Sequence, residues 1–227
     1  ARRAKRLIAI EIDKVLAAQL RLRYSRLPHV EVLEADILAV ELSTVLTQRI
    51  GPLRDLRPTK ADKVRVIGNL PYYITSDILL RLFAAHTMID CAVIMVQKEV
   101  ADRIAAKPGT KDYGLLSATS QLYTKVEKLF TLPPGAFNPP PEVHSTVLRL
   151  QIEPRLEELQ VDDKGFDAFL KRIFGQKRKT LFNNLRESYD VEASRAAMKA
   201  AGLKPDVRAE AVSLEKTAAL YRELNRG

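Results

Sequence analysis

The first 150 residues alternate between two hydrophobic periods. Leu7-Ile8-Ala9-Ile10-Glu11 is a short apolar run closed by an acid, which reads as a buried strand. Residues 14–23 then read as a helix, with apolar positions Val15, Leu16, Leu20 and Leu22. Residues 30–35 repeat the strand pattern and end at Asp36. Residues 42–63 show no clear sheet pattern, and Gly51-Pro52 and Arg57-Pro58 predict a loop-bearing insertion there. A third strand is predicted over 64–68, followed at once by Asn69-Leu70-Pro71-Tyr72. Ser76 or Asp77 is placed to cap a helix running to Ala85. A fourth strand is predicted over 91–96 and a helix over 98–106, stopping before Pro108-Gly109. Residues 126–132 and 143–152 read as a late strand pair, separated by Pro133-Pro134 and Pro139-Pro140-Pro141. Alternation of this kind predicts an α/β domain with a largely parallel sheet.

The pattern changes near Ile152. Glu153, Glu157, Glu158, Asp162 and Asp163 make an acidic stretch over 153–163 in which Arg155 is the lone positive charge. Beyond it, residues 166–175, 179–189, 192–201 and 214–224 all read as helices. The division expected is therefore an α/β domain over 1–151, a linker over 152–164 and a small all-helical domain over 165–227.

Composition narrows the function. Of the 227 residues 46% are hydrophobic, so a sizeable core is available and wholesale disorder is excluded. Apolar runs are far too short to span a membrane, and 29% of residues are charged. A single cysteine, Cys91, excludes a disulfide framework and a cysteine-built zinc site and fits a reducing compartment such as the cytoplasm. His29, His86 and His144 stand far apart, without metal-ligand spacing, so no metal is expected. Lys and Arg number 37 against 28 Asp and Glu, a formal +9 that favours an anionic partner, nucleic acid foremost. The chain opens Ala1-Arg2-Arg3 straight into a strand, with no initiator methionine, and reads as starting inside a domain whose first elements are missing.

Candidate chemistry sits at strand ends. Ligands bind at the carboxyl edge of open α/β sheets, where Asn69-Leu70-Pro71-Tyr72 falls. Methylation of an exocyclic adenine amine needs acceptors aimed at the amine hydrogens, because the nitrogen lone pair is delocalised into the ring. The Asn69 side-chain oxygen and the Leu70 carbonyl are two such acceptors. Pro71 stiffens the turn and Tyr72 offers a face on which a base stacks. The same four residues would also serve a plain turn, with Asn capping, Pro shaping and Tyr packing. Glu11 ends the first strand, like the acid that grips ribose hydroxyls in dinucleotide folds. Asp36 ends the second, where a carboxylate accepts from an adenine amino group. Either acid alone also reads as an exposed loop residue.

Together these segments resemble the KsgA family of small-subunit (16S-type) ribosomal RNA adenine N6,N6-dimethyltransferases. Ile10-Glu11-Ile12-Asp13 is similar to its ribose-binding segment, Glu34-Ala35-Asp36 to its adenine-binding segment and Asn69-Leu70-Pro71-Tyr72 to its catalytic motif. The segments Met95 to Arg103, Tyr113-Gly114-Leu115-Leu116-Ser117 and Phe137 to Ser145 are close to family signatures. The tail string Gln176-Lys177-Arg178-Lys179-Thr180-Leu181-Phe182-Asn183-Asn184-Leu185 resembles the start of the family's helical domain.

The resemblance implies a Rossmann-like methyltransferase domain followed by a small all-helical domain, with S-adenosylmethionine as cofactor. Glu11, Asp36 and Asn69 would bind the cofactor, and Asn69, Leu70, Pro71 and Tyr72 would form the catalytic turn. Tyr72 and Phe137 would enclose the target base. Lys177, Arg178 and Lys179, which also read as a solvated helix face, would contact RNA phosphates. The implied partner is small-subunit rRNA in an immature 30S-type particle, bound by a cytoplasmic monomer without membrane association. The reaction would dimethylate N6 of two adjacent adenines in a hairpin loop. Tyr73, Leu115, Glu142 and His144 depart from residues common in the family, and its glycine-rich cofactor loop should precede Ala1. This chain alone is therefore expected to be inactive. Two rivals remain, a large-subunit rRNA adenine methylase of the macrolide-resistance type and a non-catalytic ribosome-assembly or RNA-binding factor.

Overall fold

A computed structural model of the chain describes residues 4–50, 63–176 and 179–226, with Ile50 described in its backbone only. The elements in chain order are β1 (Leu7–Glu11), α1 (Lys14–Tyr24), β2 (Val30–Glu34), α2 (Leu42–Ile50), β3 (Val64–Asn69), α3 (Thr75–Ala84), β4 (Ile89–Gln97), α4 (Lys98–Ile104) and α5 (Leu115–Tyr123). They continue with β5 (Thr124–Leu132), β6 (Ser145–Ile152), α6 (Leu156–Leu159), α7 (Asp163–Ile173), α8 (Leu181–Leu185), α9 (Val191–Ala200) and α10 (Leu214–Leu224). These elements fall into two compact units, one of Ala1–Val64 with Ile74–Met88, the other of Arg65–Tyr73 with Ile89–Gly227.

In the first unit, β1 and β2 pair in parallel with Leu7 opposite Val30 and Glu11 opposite Glu34. Parallel pairing needs a crossover, and α1 supplies it. Asp13 starts that helix, its carboxylate accepting from the Val15 and Leu16 N–H groups. Ala17 is the fully buried residue of α1, while Val15, Leu16 and Leu22 stay exposed, so the apolar stripe expected from the sequence is only partly covered. On α3, Ile78, Leu79, Leu82 and Phe83 form one buried stripe at helical spacing.

The segment expected to be a loop-bearing insertion begins instead with α2, in which Leu42 and Leu46 are buried one turn apart. Ser43, Thr44 and Thr47 dilute that apolar stripe, which is why the helix is hard to see in the sequence. The rest of the expected insertion, 51–62, lies outside the described residues. Neither Ser76 nor Asp77 caps α3. A 3-10 turn over Tyr72–Ile74 leads into it, and Ile74 at the cap position makes no side-chain hydrogen bond.

The second unit carries a four-stranded sheet in the order β3-β4-β6-β5. Bonds from Val64 N–H to the Met88 carbonyl and from Leu70 N–H to the Met95 carbonyl advance in the same sense, so β3 runs parallel to β4. β6 is antiparallel to both β4 and β5. The sheet is thus more mixed than the alternating pattern suggests, because the β5–β6 connection contains no crossover helix and returns the chain beside itself.

Fully buried Ile94, Val96, Leu148, Leu150, Leu122 and Ile104 form the core shared by the sheet and α4 and α5. Each such side chain contributes roughly 1.5–3 kcal/mol. An exposed ion pair contributes about 0–1 kcal/mol, so the apolar core holds the unit together. The acidic segment after Ile152 contains α6, and Arg155 there pairs with Glu158 and, across sixty residues of chain, with Glu215 of α10. Side-chain caps start four of the later helices, Asp162 for α7, Thr180 for α8, Asp190 for α9 and Ser213 for α10. Gly202, at φ +64, ends α9 in a left-handed turn that an L side chain resists.

Candidate active site

The turn after β3 is fastened before it is functional. Leu70 donates its N–H to the Met95 carbonyl at 3.0 Å, carrying the β3–β4 ladder one residue past the strand. The Leu70 side chain is buried, whereas Asn69 before it and Tyr72 after it reach solvent. Pro71 has no N–H with which to continue the ladder, and the chain turns into the 3-10 segment. The Tyr72 phenol lies 3.0 Å from the hydroxyl of Ser145, the first residue of β6.

Asn69, Leu70, Pro71 and Tyr72 line an open cavity of about 330 Å³ together with Met95, Phe137, Pro139 and Pro141. That is the lower end of the size range of small-ligand sites. Phe137 is delivered by a short 3-10 turn over Pro134–Ala136, its N–H bonded to the Pro134 carbonyl at 3.2 Å. The sequence-predicted catalytic turn and the predicted aromatic Phe137 therefore do share one pocket. Aromatic rings, proline faces and a thioether provide flat apolar walls for a base, and Asn69 brings a polar side chain into the same lining.

Glu11 and Asp36 belong to the first unit, at the carboxyl ends of its two parallel strands. The Ala35 N–H donates to the Glu11 carbonyl at 3.0 Å, so the two acids leave neighbouring strand ends on the same edge. Glu11 Oε1 accepts from the Asp13 N–H at 2.9 Å, and Asp36 Oδ1 accepts from the Leu38 N–H at 2.8 Å. In each, one oxygen is locked and the other has no hydrogen bond among the described residues. Two acceptor-only carboxylates held this way fit a ribose diol and an adenine amine, the polar half of S-adenosylmethionine.

Other candidates take quieter places. Lys177 and Arg178 lie outside the described residues. Lys179 pairs with Glu187 at 2.7 Å, and that ammonium holds the Glu187 carboxyl below its ordinary range. His86 is buried, its Nδ1 2.8 Å from the Phe83 carbonyl. Burial, with Asp90 adding to it, pushes the Cys91 thiol up and keeps it a packing group. Among the described residues no three His, Cys, Asp or Glu side chains gather where a metal could sit, and no helix is long and apolar enough to cross a membrane. In the sequence Ser145 and Met95 lie inside longer family-like strings, and nothing there gives either a place in the pocket. The one available signal was the hydroxyl pair Ser145-Thr146 opening a strand whose other buried positions are apolar.

Comparison with solved structures gives the class. A dimethyladenosine transferase from Plasmodium falciparum superposes with a TM-score of 0.69 at 23% identity, covering 98% of this chain and 83% of that one. The 23S rRNA methyltransferase ErmE superposes with a TM-score of 0.63 at 24% identity, covering 99% and 84%. At such identities these likenesses establish the fold, which is that of Rossmann-like methyltransferases.

The family follows from the sequence comparisons. Residues 1–226 match the family model for ribosomal RNA adenine dimethylase. A Koribacter versatilis protein named ribosomal RNA small subunit methyltransferase A is 82% identical over 227 residues, all of this chain and 80% of that one. Its namesake from Acidobacterium capsulatum is 54% identical over 225 residues, 99% of this chain and 75% of the relative. The chain belongs to the ribosomal RNA adenine dimethylase family, enzymes that move methyl groups from S-adenosylmethionine to adenine in ribosomal RNA.

Proposed function

We propose that the full-length protein dimethylates N6 of two adjacent adenines in a hairpin loop of small-subunit rRNA, acting on an immature 30S-type particle in the cytoplasm. The observation that carries this reading is the pocket itself: the Asn69–Tyr72 turn and Phe137 line one open cavity of about 330 Å³. The names of the relatives at 82% and 54% identity favour the small subunit over the large one. Loop adenines are already partly unstacked, so seating one in an open pocket costs less than extracting it from a duplex. One chain supplies all the groups assigned, which supports action as a monomer.

Glu11 and Asp36 would hold the cofactor's ribose and adenine, and Asn69 is assigned to the cofactor as well as to the target amine. Bound S-adenosylmethionine supplies a methyl group made electrophilic by its sulfonium. Tyr72 and Phe137 hold the target base between their rings. The Asn69 Oδ1 and the Leu70 carbonyl accept from the amine hydrogens, so the nitrogen lone pair is directed out of conjugation. Both acceptors gain strength as the nitrogen becomes positive, which places their effect in the transition state. The proton leaves after the new N–C bond forms, and no strong general base is required. The functional division follows the sequence: methyl transfer by residues 1–151 and RNA contact by the helical part from 165 onward, with Lys177, Arg178 and Lys179 as phosphate ligands.

The test is methylation of unmethylated small-subunit particles, with digestion and mass spectrometry of the rRNA. N6,N6-dimethyladenosine at two adjacent loop positions supports the reading, and methylation confined to large-subunit RNA refutes it.

A further inference from the structure

Tyr72 is a partly exposed ring, 36% accessible, on a single 3-10 turn, a setting that does little to fix a side chain. For a stacking platform this is a weakness, because a ring free to rotate must be ordered each time a base arrives. Its hydroxyl, however, has a fixed partner: it lies 3.0 Å from Ser145 Oγ. Ser145 is 1% exposed and opens β6, where it is paired on one side with Gln97 of β4 and on the other with Leu132 of β5. A residue held in two ladders is among the most rigid positions a sheet offers, and a hydroxyl buried there needs a partner.

The turn is therefore stapled to the sheet twice. Leu70 N–H fastens its backbone to Met95 of β4, and the Tyr72 phenol fastens its far end to Ser145 of β6. Asn69 comes immediately before the first tie, and the Leu70 carbonyl lies between the two. We infer that Ser145 is a positioning residue for methyl transfer, holding the Tyr72 ring and, through it, the Asn69–Tyr72 turn in the geometry that receives the adenine. This rests on the reading of the pocket given above.

Two readouts test it. The first is the ring of Tyr72, followed by NMR with ring-labelled tyrosine in the wild-type protein and in Ser145→Ala. Slowed ring flips and a phenol signal protected from solvent are expected in the wild type, and free averaging in the variant. The second is a double-mutant cycle on single-turnover methyl transfer to small-subunit particles, with Ser145→Ala, Tyr72→Phe and the double variant. Each single change should slow the saturating rate by about tenfold, the equivalent of one hydrogen bond of the usual net strength. The double variant should be no slower than either single one. Ser145→Thr, which keeps the hydroxyl, should recover most of the rate, and thermal unfolding should confirm that all variants fold.

Identical Tyr72 signals in the wild type and Ser145→Ala would overturn the tie, whatever the activity. A tie that is present but leaves the rate of Ser145→Ala at the wild-type value would overturn the positioning role. A wild-type protein that shows the tie and methylates no adenine would instead refute the proposed function.

Discussion

Asn69 and Tyr72 lie on either side of Leu70 in the chain, and the contrast between them and that buried leucine organises the pocket. Leu70 commits its side chain and its N–H to the fold, while Asn69 and Tyr72 line the pocket. Asn69→Ala removes a preorganised acceptor whose effect grows with charge on the amine. Its methyl-transfer rate should fall about 10²–10³-fold, with folding close to wild type and a smaller loss of cofactor affinity. Single-turnover kinetics beside calorimetric cofactor titration reads both, and an unchanged rate would make Asn69 a turn residue only. Glu11→Gln should behave oppositely. A charged hydrogen bond contributes about 1.5–3 kcal/mol, so cofactor affinity should fall roughly 10–100-fold, and calorimetry on the protein alone decides this.

At the scale of elements, the start of α7 shows how closely the C-terminal helices are fitted. Asp162 caps α7 through the Gly165 N–H and also accepts from the Tyr221 phenol of α10. A Cβ on Gly165 would run into the Tyr221 hydroxyl and the Asp162 carboxylate. Gly165→Ala should therefore destabilise the protein by about 1–3 kcal/mol, measured by denaturant unfolding, and an unchanged midpoint would mean that α10 yields easily. The same contacts hold the Asp162 carboxyl below its ordinary value, the Tyr221 phenol first and the Gly165 N–H second. A folded value below the unfolded one means stabilisation that is complete above the ordinary aspartate range and is lost as pH falls through the folded value. Asp162→Asn keeps a capping oxygen and removes the charge. Its stability deficit should thus be largest near neutrality and shrink in acid, and a deficit constant with pH would contradict the carboxylate role.

These elements also show what could be read without coordinates. Strands β1, β2, β3 and β4 were legible because short apolar runs end abruptly at Glu11, Asp36, Asn69 and Gln97, near where the ladders stop. Helix α5 was not. Ser117, Ala118, Thr119 and Ser120 are all almost fully buried, so no polar face marks a period, and the Ser117 hydroxyl is taken up by the Arg103 carbonyl. The mixed direction of the second sheet was hidden as well, since strand pairing is set by contacts distant in sequence. In the candidate site, residue types next to each other in the chain announced the turn. Ser145 is 73 positions from Tyr72, and only the fold brings its hydroxyl to the phenol.

For the molecule as a whole, the formal +9 implies that part of its hold on RNA is electrostatic. Replacing Lys177 and Arg178 by Ala should weaken RNA binding and flatten its salt dependence, by roughly 0.7–0.9 log units for each phosphate no longer neutralised. Adding Lys179→Ala should contribute less than either, because that ammonium already pairs with Glu187. Binding titrations over a range of salt separate these cases, and an unaltered slope would reduce the string to a solvated surface.

The central claim is that the pocket between the Asn69–Tyr72 turn and Phe137 is where small-subunit adenines are methylated. Incubating unmethylated small-subunit particles with the full-length protein and S-adenosylmethionine, and mapping the modified nucleosides in both ribosomal RNAs, tests it most directly. The account predicts N6,N6-dimethyladenosine at two adjacent loop positions of the small-subunit RNA, greatly slowed with Asn69→Ala. Methyl groups placed on large-subunit RNA, or placed undiminished by Asn69→Ala, would contradict it.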